Sequence, residues 1–330
     1  MVFFSLYWRQ EKNIRLNYVP FMKYDYDLWS NSFIEKTPNI YIIMIRIAYL
    51  NYWTDAINKN DDYFTRFISA NIGPVETVSA HEYPDLLITS CFGDIHRVSN
   101  TRARKKLFYY GENLNRYPPY NDDNLLHKTF DLIIGFKATN GHVRFPLWLM
   151  YYPYYKYDEC DNILVYIQKR YDYNKSVRKD IFATCIARHD RGGIRSAICD
   201  ELQKYGKVAF PSAFRNNVPM IGPSANDKIQ YISHSIFNIC PENSKFEGYC
   251  TEKIFQAFEG GTIPVYWGVG LPEDGLINTN KYCHPNNIKY AIDHQSEYLN
   301  GPIFTDSGGT ILSQFYEELI SQIRTCIETV

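Results

Sequence analysis

Short, continuously apolar segments alternate with amphipathic or polar segments along most of the 330-residue chain. The apolar segments are Ile40–Leu50, Pro84–Gly93, Lys105–Asn113, Thr129–Phe136, Asp180–Arg188, Lys207–Ser212, Ile236–Asn243 and Thr262–Gly268. Their hydrophobicity is continuous and does not alternate, which is typical of parallel strands buried on both faces. Segments with helical spacing of apolar positions lie among them, at 61–72, 192–206, 226–235, 251–261 and 310–329.

This order predicts an α/β protein made of two Rossmann-like halves that face each other across a cleft. We divide the chain into an unassigned N-terminal extension (1–40), an N-terminal domain (41–160), a C-terminal domain (161–310) and a closing C-terminal helix (311–330). The segment from Pro153 to Lys179 is rich in Tyr, Pro, Asp, Lys and Arg, and it predicts a hinge between the halves.

Composition and charge exclude several classes of protein. The net charge is -1, so no overall field favours nucleic acid or an anionic membrane. The most apolar run, Tyr41–Leu50, contains Arg46 and is far shorter than the roughly 20 residues that span a bilayer. The N-terminus lacks the features of a signal peptide, and the eight cysteines form no Cys-x-x-Cys pair. These features predict a cytoplasmic protein without a membrane span or a structural zinc ion.

The clearest candidate for chemistry is the segment Pro241–Phe255, in which Glu252 and Lys253 open a helix that we expect to start at Cys250 or Thr251. The segment follows a predicted strand, and open α/β sheets bind ligands at the carboxyl ends of their strands. A helix N-terminus with a lysine suits phosphate, and the adjacent glutamate suits hydroxyl groups. The alternative is equally consistent with the segment alone: Glu252 complements the helix dipole and Lys253 is a solvated surface residue.

A second cation follows two glycines in the same way. Gly192-Gly193 precede Arg195 at the start of a predicted helix, where a guanidinium is suited to bind phosphate through two hydrogen bonds. The alternative is a solvated arginine with Asp200 as its partner, and Arg188 and Arg191 are competing candidates. The sequence contains no Gly-x-Gly-x-x-Gly motif and no P-loop, which disfavours dinucleotide binding and NTP hydrolysis.

Three pieces of sequence in fixed order resemble glycosyltransferase family 10, the α-1,3-fucosyltransferases. They are Phe-x-x-x-x-Glu-Asn-Ser around Glu242, Gly-Tyr-x-Thr-Glu-Lys-Ile from Gly248, and Ile-Pro-x-Tyr-Trp-Gly from Ile263. A looser resemblance runs from about Tyr41 to Asn287 and includes Gly-Glu-Asn at 111–113. The match is closest to the short bacterial or viral type, because no membrane anchor or stem is apparent. Pro241 and the loop 209–217 depart from the family pattern.

The resemblance implies a GT-B fold and inverting transfer of L-fucose from GDP-β-L-fucose to a glycan hydroxyl, with an α-1,3 link to an N-acetylglucosamine or glucose unit. The N-terminal domain would bind the acceptor and the C-terminal domain the GDP-fucose donor. Arg195 and Lys253 would hold the pyrophosphate, and Glu112 would be the general base. Glu252, Asn243 and Tyr249 would complete the donor pocket.

No cluster of metal-binding residues stands out in the sequence, and the two cations would take the role of a divalent ion, so we expect no protein-bound metal and no cofactor. Two alternatives remain open at the level of sequence. One is a transferase of this fold that uses a different sugar nucleotide. The other is a catalytically idle protein that binds a glycan or a nucleotide.

Overall fold

The structure is a computed structural model that describes residues 44–53, 59–138, 141–153, 161–269, 273 and 275–329. Within these residues the chain forms two parallel β-sheets, one of six strands and one of four. The first contains β1 (Ile45–Leu50), β2 (Val75–Thr77), β3 (Leu86–Thr89), β4 (Lys105–Tyr110), β5 (Leu132–Gly135) and β6 (Val143–Arg144); the second contains β7 (Ile181–Cys185), β8 (Val208–Ala209), β9 (Ser235–Ile239) and β10 (Ile263–Val265).

Helices connect and cover both sheets. They are α1 (Tyr63–Asn71), α2 (Ile95–Asn100), α3 (Asp123–Thr129), α4 (Trp148–Tyr151), α5 (Asp161–Lys175), α6 (Ile194–Gln203), α7 (Ala225–Ile232), α8 (Lys253–Glu259), α9 (Ile288–Asp293), α10 (Gln295–Leu299) and α11 (Gly308–Glu328). The strand orders are β2-β1-β3-β4-β5-β6 and β10-β9-β7-β8, and every described strand pair is parallel. The predicted α/β architecture of two Rossmann-like halves is confirmed.

The predicted strands are all present, in shorter form. The strand expected from Ile40 begins at Ile45, and its residues 40–43 lie outside the described part of the chain, as does the whole N-terminal extension 1–40. The long closing helix starts at Gly308, three residues before its predicted boundary, and ends at Glu328.

The predicted hinge from Pro153 to Lys179 is wrong for most of its length. Residues 161–175 form α5, which packs against α8 and α11. Ile163, Ile167 and Tyr171 follow one another at four-residue spacing and are buried in the largest hydrophobic cluster. This apolar stripe favours a packed helix, but it is interrupted by so many charged and tyrosine side chains that composition alone suggested a linker.

The two halves share that largest cluster. Trp148, which follows the first sheet, stacks on Phe255 of α8 with ring centroids 4.2 Å apart, and both side chains are fully buried. The closing helix α11 leaves the C-terminal half and packs on β5 and β6 of the first sheet. A continuous apolar core therefore holds the carboxyl end of β4 beside the carboxyl end of β9.

Candidate active site

The buried carboxylate of Glu242 organises the end of β9. It is 0% exposed and accepts hydrogen bonds from the Thr251 backbone N–H (2.8 Å) and the Thr251 hydroxyl (2.8 Å). These bonds hold Thr251 out of the helical conformation. Helix α8 consequently begins at Lys253, with Glu252 at its N-cap, and the predicted start at Cys250 or Thr251 is wrong by two or three residues.

Lys253 is a fixed cation. Its Nζ donates to Glu242 Oε2 (3.2 Å) and to Thr251 Oγ1 (2.7 Å), and it lies 3.9 Å from Glu252 Oε1. Burial alone would lower the pKa of this ammonium, but the carboxylates of Glu242 and Glu252 raise it above its usual value. The alternative of a solvated surface lysine is therefore wrong.

Glu252 stays ionised beside that lysine. Burial alone would raise the pKa of its carboxyl, but the charges of Lys253 and Lys228 more than offset this effect, and the net pKa is lowered. Its side chain makes no capping hydrogen bond to α8. The Glu252 carboxylate therefore lies at the N-terminus of α8 without capping it, and it can accept hydrogen bonds from a ligand.

Hydrogen bonds hold both the backbone and the side chain of Arg195. Gly193, with φ of +73°, makes the left-handed turn into α6, and the Asp190 carboxylate accepts the backbone N–H of Arg195 (3.2 Å) and of Ser196 (2.7 Å). The guanidinium donates to Asn243 Oδ1 (2.7 Å) and to the His189 carbonyl (3.2 Å). Arg195 is 8% exposed, so the alternative of a solvated arginine is wrong.

The competing sequence candidates are separated from Arg195 by position. Arg188 and Arg191 are exposed residues of the preceding loop. Asp200, which the sequence suggested as a partner of Arg195, pairs with Arg215 on the protein surface. The amide of Asn243 takes that place instead, which joins the strand end of β9 to the start of α6.

A small pocket lies between these groups. Its lining residues are Ile186, Arg195, Lys228, Asn238, Ile239, Cys240, Pro241 and Lys253. The pocket brings together Arg195 and Lys253, as expected from the sequence, and adds Lys228 and Asn238, which the sequence analysis missed. Lys228 occupies an ordinary position in a helix and Asn238 a position within a strand, so neither carries a local signal.

Glu112 reaches the same region from the opposite sheet. It follows β4 after Gly111 and is partly buried, which raises the pKa of its carboxyl; the charges of Lys253 and Arg116 act in the other direction. The Tyr249 hydroxyl donates to Glu112 Oε2 at 3.5 Å, at the limit of a hydrogen bond. A carboxylate of the N-terminal sheet therefore lies within electrostatic range of Lys253 and Glu252.

Tyr249 crosses from one half to the other. Its ring is 2% exposed and packs against Phe136 in a hydrophobic cluster of the first sheet. Gly248, with φ of +74°, allows this crossing because its α-carbon faces the carbonyl oxygen of Phe136. The structure places the Tyr249 hydroxyl at Glu112, and its predicted role in the donor pocket stays a prediction.

In the described part of the chain, no three or more His, Cys, Asp and Glu side chains are grouped so as to hold a metal ion. No helix among the described residues is long and apolar enough to cross a membrane. The cytoplasmic location stays a prediction.

The architecture matches solved structures of α1,3-fucosyltransferases. A crystal structure with GDP-fucose has a TM-score of 0.57 and 21% identity, covering 90% of this chain and 94% of that one. A second α1,3-fucosyltransferase structure gives a TM-score of 0.62 at 22% identity, covering 90% and 93%. The fold is GT-B, as the resemblance in the sequence implied.

Two sequence comparisons give the family. Residues 175–298 match the model of the C-terminal domain of glycosyltransferase family 10 (fucosyltransferase). The α-(1,3)-fucosyltransferase FucT of Helicobacter pylori is 25% identical over 340 residues, which cover 89% of this chain and 68% of that protein. The C-terminal part of the chain is thus similar to glycosyltransferase family 10, and the similarity to the Helicobacter pylori enzyme extends over most of the chain.

Proposed function

We propose that the protein is an inverting α-1,3-fucosyltransferase that moves L-fucose from GDP-β-L-fucose to a hydroxyl of a glycan acceptor, forming a bond to an N-acetylglucosamine or glucose unit. The observation that carries this proposal is the meeting of Glu112, from one sheet, with the Glu252-Lys253 pair, from the other. Support comes from the family match and from the relatives, which are named α-1,3-fucosyltransferases.

On the donor side, Arg195 and Lys253 bind the diphosphate of GDP-fucose. When the bond between C1 of fucose and the phosphate oxygen breaks, the electron pair leaves with GDP and its negative charge increases. Cations already fixed in place stabilise that charge without reorganising, which is commonly the largest contribution to catalysis. Asn243 holds the Arg195 guanidinium at 2.7 Å, and the Glu252 carboxylate, which does not cap α8, accepts hydroxyls of fucose or ribose.

On the acceptor side, Glu112 removes the proton of the attacking hydroxyl. That oxygen forms the new bond to C1 from the face opposite the leaving GDP, so the configuration at C1 inverts. A base on the opposite domain suits this geometry, because donor and acceptor then enter the cleft from opposite sides. Tyr249 lies at the junction of the two sides, where it completes the donor pocket and contacts the base.

In this proposal the charge of the leaving group is met by protein cations, and no protein-bound metal takes part. The expected outcome is that turnover persists in the presence of a chelator. A loss of turnover with EDTA that added Mg²⁺ or Mn²⁺ restores would contradict this part of the proposal.

The deciding experiment measures GDP release from GDP-fucose, with and without N-acetyllactosamine, lacto-N-biose or free N-acetylglucosamine. Release that depends on an acceptor supports the transferase and identifies its acceptor class. Binding of GDP-fucose without GDP release in the presence of any of these acceptors favours the idle binding protein. Glu112→Gln would then change neither GDP-fucose binding nor GDP release.

A different donor is the remaining alternative within this fold. A thermal-shift panel of GDP-fucose, GDP-mannose, UDP-galactose and GDP separates the two, because a ligand that binds the folded state raises Tm by mass action. We expect GDP-fucose and GDP to raise Tm most. A larger shift with UDP-galactose than with GDP-fucose would reject the proposed donor.

A further inference from the structure

The pocket between Arg195 and Lys253 contains a third cation, Lys228 of α7. Its Nζ donates to Gln256 Oε1 (2.7 Å), and Gln256 lies one helical turn after Lys253 on α8. Helix α7 is anchored by a capping box in which Ser224 and Asp227 bond reciprocally. Lys228 is therefore held in a defined position by a neutral partner.

The charge of Lys228 is poorly balanced by the protein. Lys253 has the Glu242 carboxylate at 3.2 Å, whereas Lys228 forms no ion pair within the described residues. Burial lowers the pKa of the Lys228 ammonium, and Lys253 lowers it further, against the opposing effect of Glu252. An ammonium has three donors, and only one of them has an acceptor among the described residues, so the side chain retains capacity for an anion.

Asn238 supplies an independent observation in the same pocket. It is the fourth of the five residues of β9, is 2% exposed, and its Nδ2 has no hydrogen-bond partner among the residues that the structure describes. A buried N–H donor without an acceptor costs free energy, so an acceptor oxygen supplied by a ligand at this position would be favourable. The Asn238 amide lines the pocket together with the three cations.

Oxygen-rich anions suit this arrangement better than neutral ligands. The pocket is lined by three cationic side chains and by Asn238, whose amide donor has no partner among the described residues. The carboxylates of Glu242 and Glu252 already lie beside Lys253. A sugar hydroxyl needs one acceptor and one donor, so it would leave this charge uncompensated. A diphosphate carries several acceptor oxygens and compensates it directly.

We propose that Lys228 and Asn238 are additional donor-binding residues that contact the diphosphate of the sugar nucleotide from inside the pocket, beyond Arg195 and Lys253. The inference rests on the proposed function for the identity of the nucleotide. In this arrangement Gln256 acts as a positioning residue, because its amide holds the Lys228 ammonium toward the pocket. The innermost phosphate oxygens accept from Lys228 Nζ and Asn238 Nδ2.

The test uses near-isosteric apolar variants of the full chain, Lys228→Met and Asn238→Leu, with Lys207→Met as a control that removes the same charge from an exposed position. Binding of GDP and of inorganic pyrophosphate is measured by calorimetry. We expect each pocket variant to weaken both ligands by roughly ten- to a hundredfold, as for hydrogen bonds to charged groups. Lys207→Met is expected to bind as wild type does.

Stability distinguishes a binding role from a structural one. A residue kept for packing would lower the free energy of unfolding when replaced, whereas removing an unsatisfied buried donor or an unbalanced cation leaves it unchanged or raises it. We therefore expect ligand-free Asn238→Leu to be at least as resistant to urea as wild type, and Lys228→Met, which leaves Gln256 Oε1 without its donor, to lose no more than that one hydrogen bond. Should Asn238→Leu not fold, Asn238→Asp serves instead, since its added charge is expected to abolish binding of both ligands.

The outcomes separate the two proposals. Wild-type GDP affinity in Lys228→Met and in the Asn238 variant would overturn this inference and leave the proposed function intact. Loss of pyrophosphate binding in these variants, in a protein that transfers no fucose to any acceptor, would support the inference and reject the proposed function. A wild-type protein that binds neither GDP nor pyrophosphate would overturn both.

Discussion

The Lys253 ammonium lies 3.2 Å from the Glu242 carboxylate, although eleven positions separate the two residues along the chain. Glu242 lies three residues after the end of β9, and Lys253 is the first residue of α8. Thr251 connects them, because its hydroxyl donates to Glu242 and accepts from Lys253. The cation that we assign to the leaving group is thus positioned by a buried carboxylate that lies away from solvent.

Replacing Glu242 by alanine is expected to destabilise the protein by about 3–5 kcal/mol, since the change removes the nearest carboxylate partner of Lys253 and leaves the Thr251 N–H without its acceptor. Urea unfolding measures this free energy. Glu317→Ala, at an exposed position of α11, is the matched control and should cost little. A Glu242→Ala protein as stable as that control would show that the pair contributes nothing to folding.

Replacing Lys253 by alanine is expected to lower kcat roughly 10²–10³-fold and to weaken donor binding, since a fixed charge at the leaving group is lost. Steady-state kinetics with GDP-fucose measures both. The double variant Lys253→Met/Glu242→Gln, which also neutralises the carboxylate nearest to the lost ammonium, controls for misfolding and should be equally slow. Unchanged kinetics in a folded Lys253→Ala protein would remove this residue from the phosphate site.

Glu112→Gln is expected to lower kcat roughly 10²–10⁴-fold, the usual contribution of a general base, while leaving GDP-fucose affinity near that of wild type. Calorimetry and single-turnover transfer separate the two quantities. Asp94→Asn, in the loop after β3 and away from the donor pocket, is a control that removes a carboxylate from the same sheet edge. A rate within a few-fold of wild type would place the base elsewhere.

The pH profile reports the same carboxylate. Transfer requires ionised Glu112, so kcat/KM falls as the pH falls through the pKa of this group. Burial raises that pKa, so the acidic limb should lie at higher pH than for a solvated glutamate. The Tyr249 hydroxyl lowers it by donating to the ionised form. Tyr249→Phe is therefore expected to move the acidic limb to still higher pH, and an unmoved limb would contradict the contact.

Gly248→Ala is expected to disrupt the crossing of Tyr249 between the halves. At φ of +74° a side chain is strained, and an added Cβ would lie 2.3 Å from the Phe136 carbonyl oxygen. The combined cost should exceed the about 1–3 kcal/mol of such backbone strain. The melting temperature and the rate of fucose transfer should fall together. Gly192→Ala, where an added Cβ meets nothing within 4 Å, is the control.

Much of this protein was determined by its sequence alone. Continuous apolar strands such as the one ending at Tyr110 are typical of parallel sheets covered on both faces, so the α/β class and two halves followed from local pattern. Arg195, Glu252 and Lys253 were found because helix starts after strands are recognisable without a structure. The likeness to the α-1,3-fucosyltransferases, and with it the role proposed for Glu112, came from contiguous motifs.

Only the tertiary structure decided which of these groups meet and what holds them. Asn243 replaced Asp200 as the partner of Arg195, and residues 161–175 became a packed helix, because contacts between distant segments outweigh local composition. Lys228 and Asn238 carry no signal in the sequence. Among the described residues the Lys228 ammonium forms no ion pair and the Asn238 amide N–H has no acceptor, and both side chains line one pocket. These relationships exist only in the folded chain.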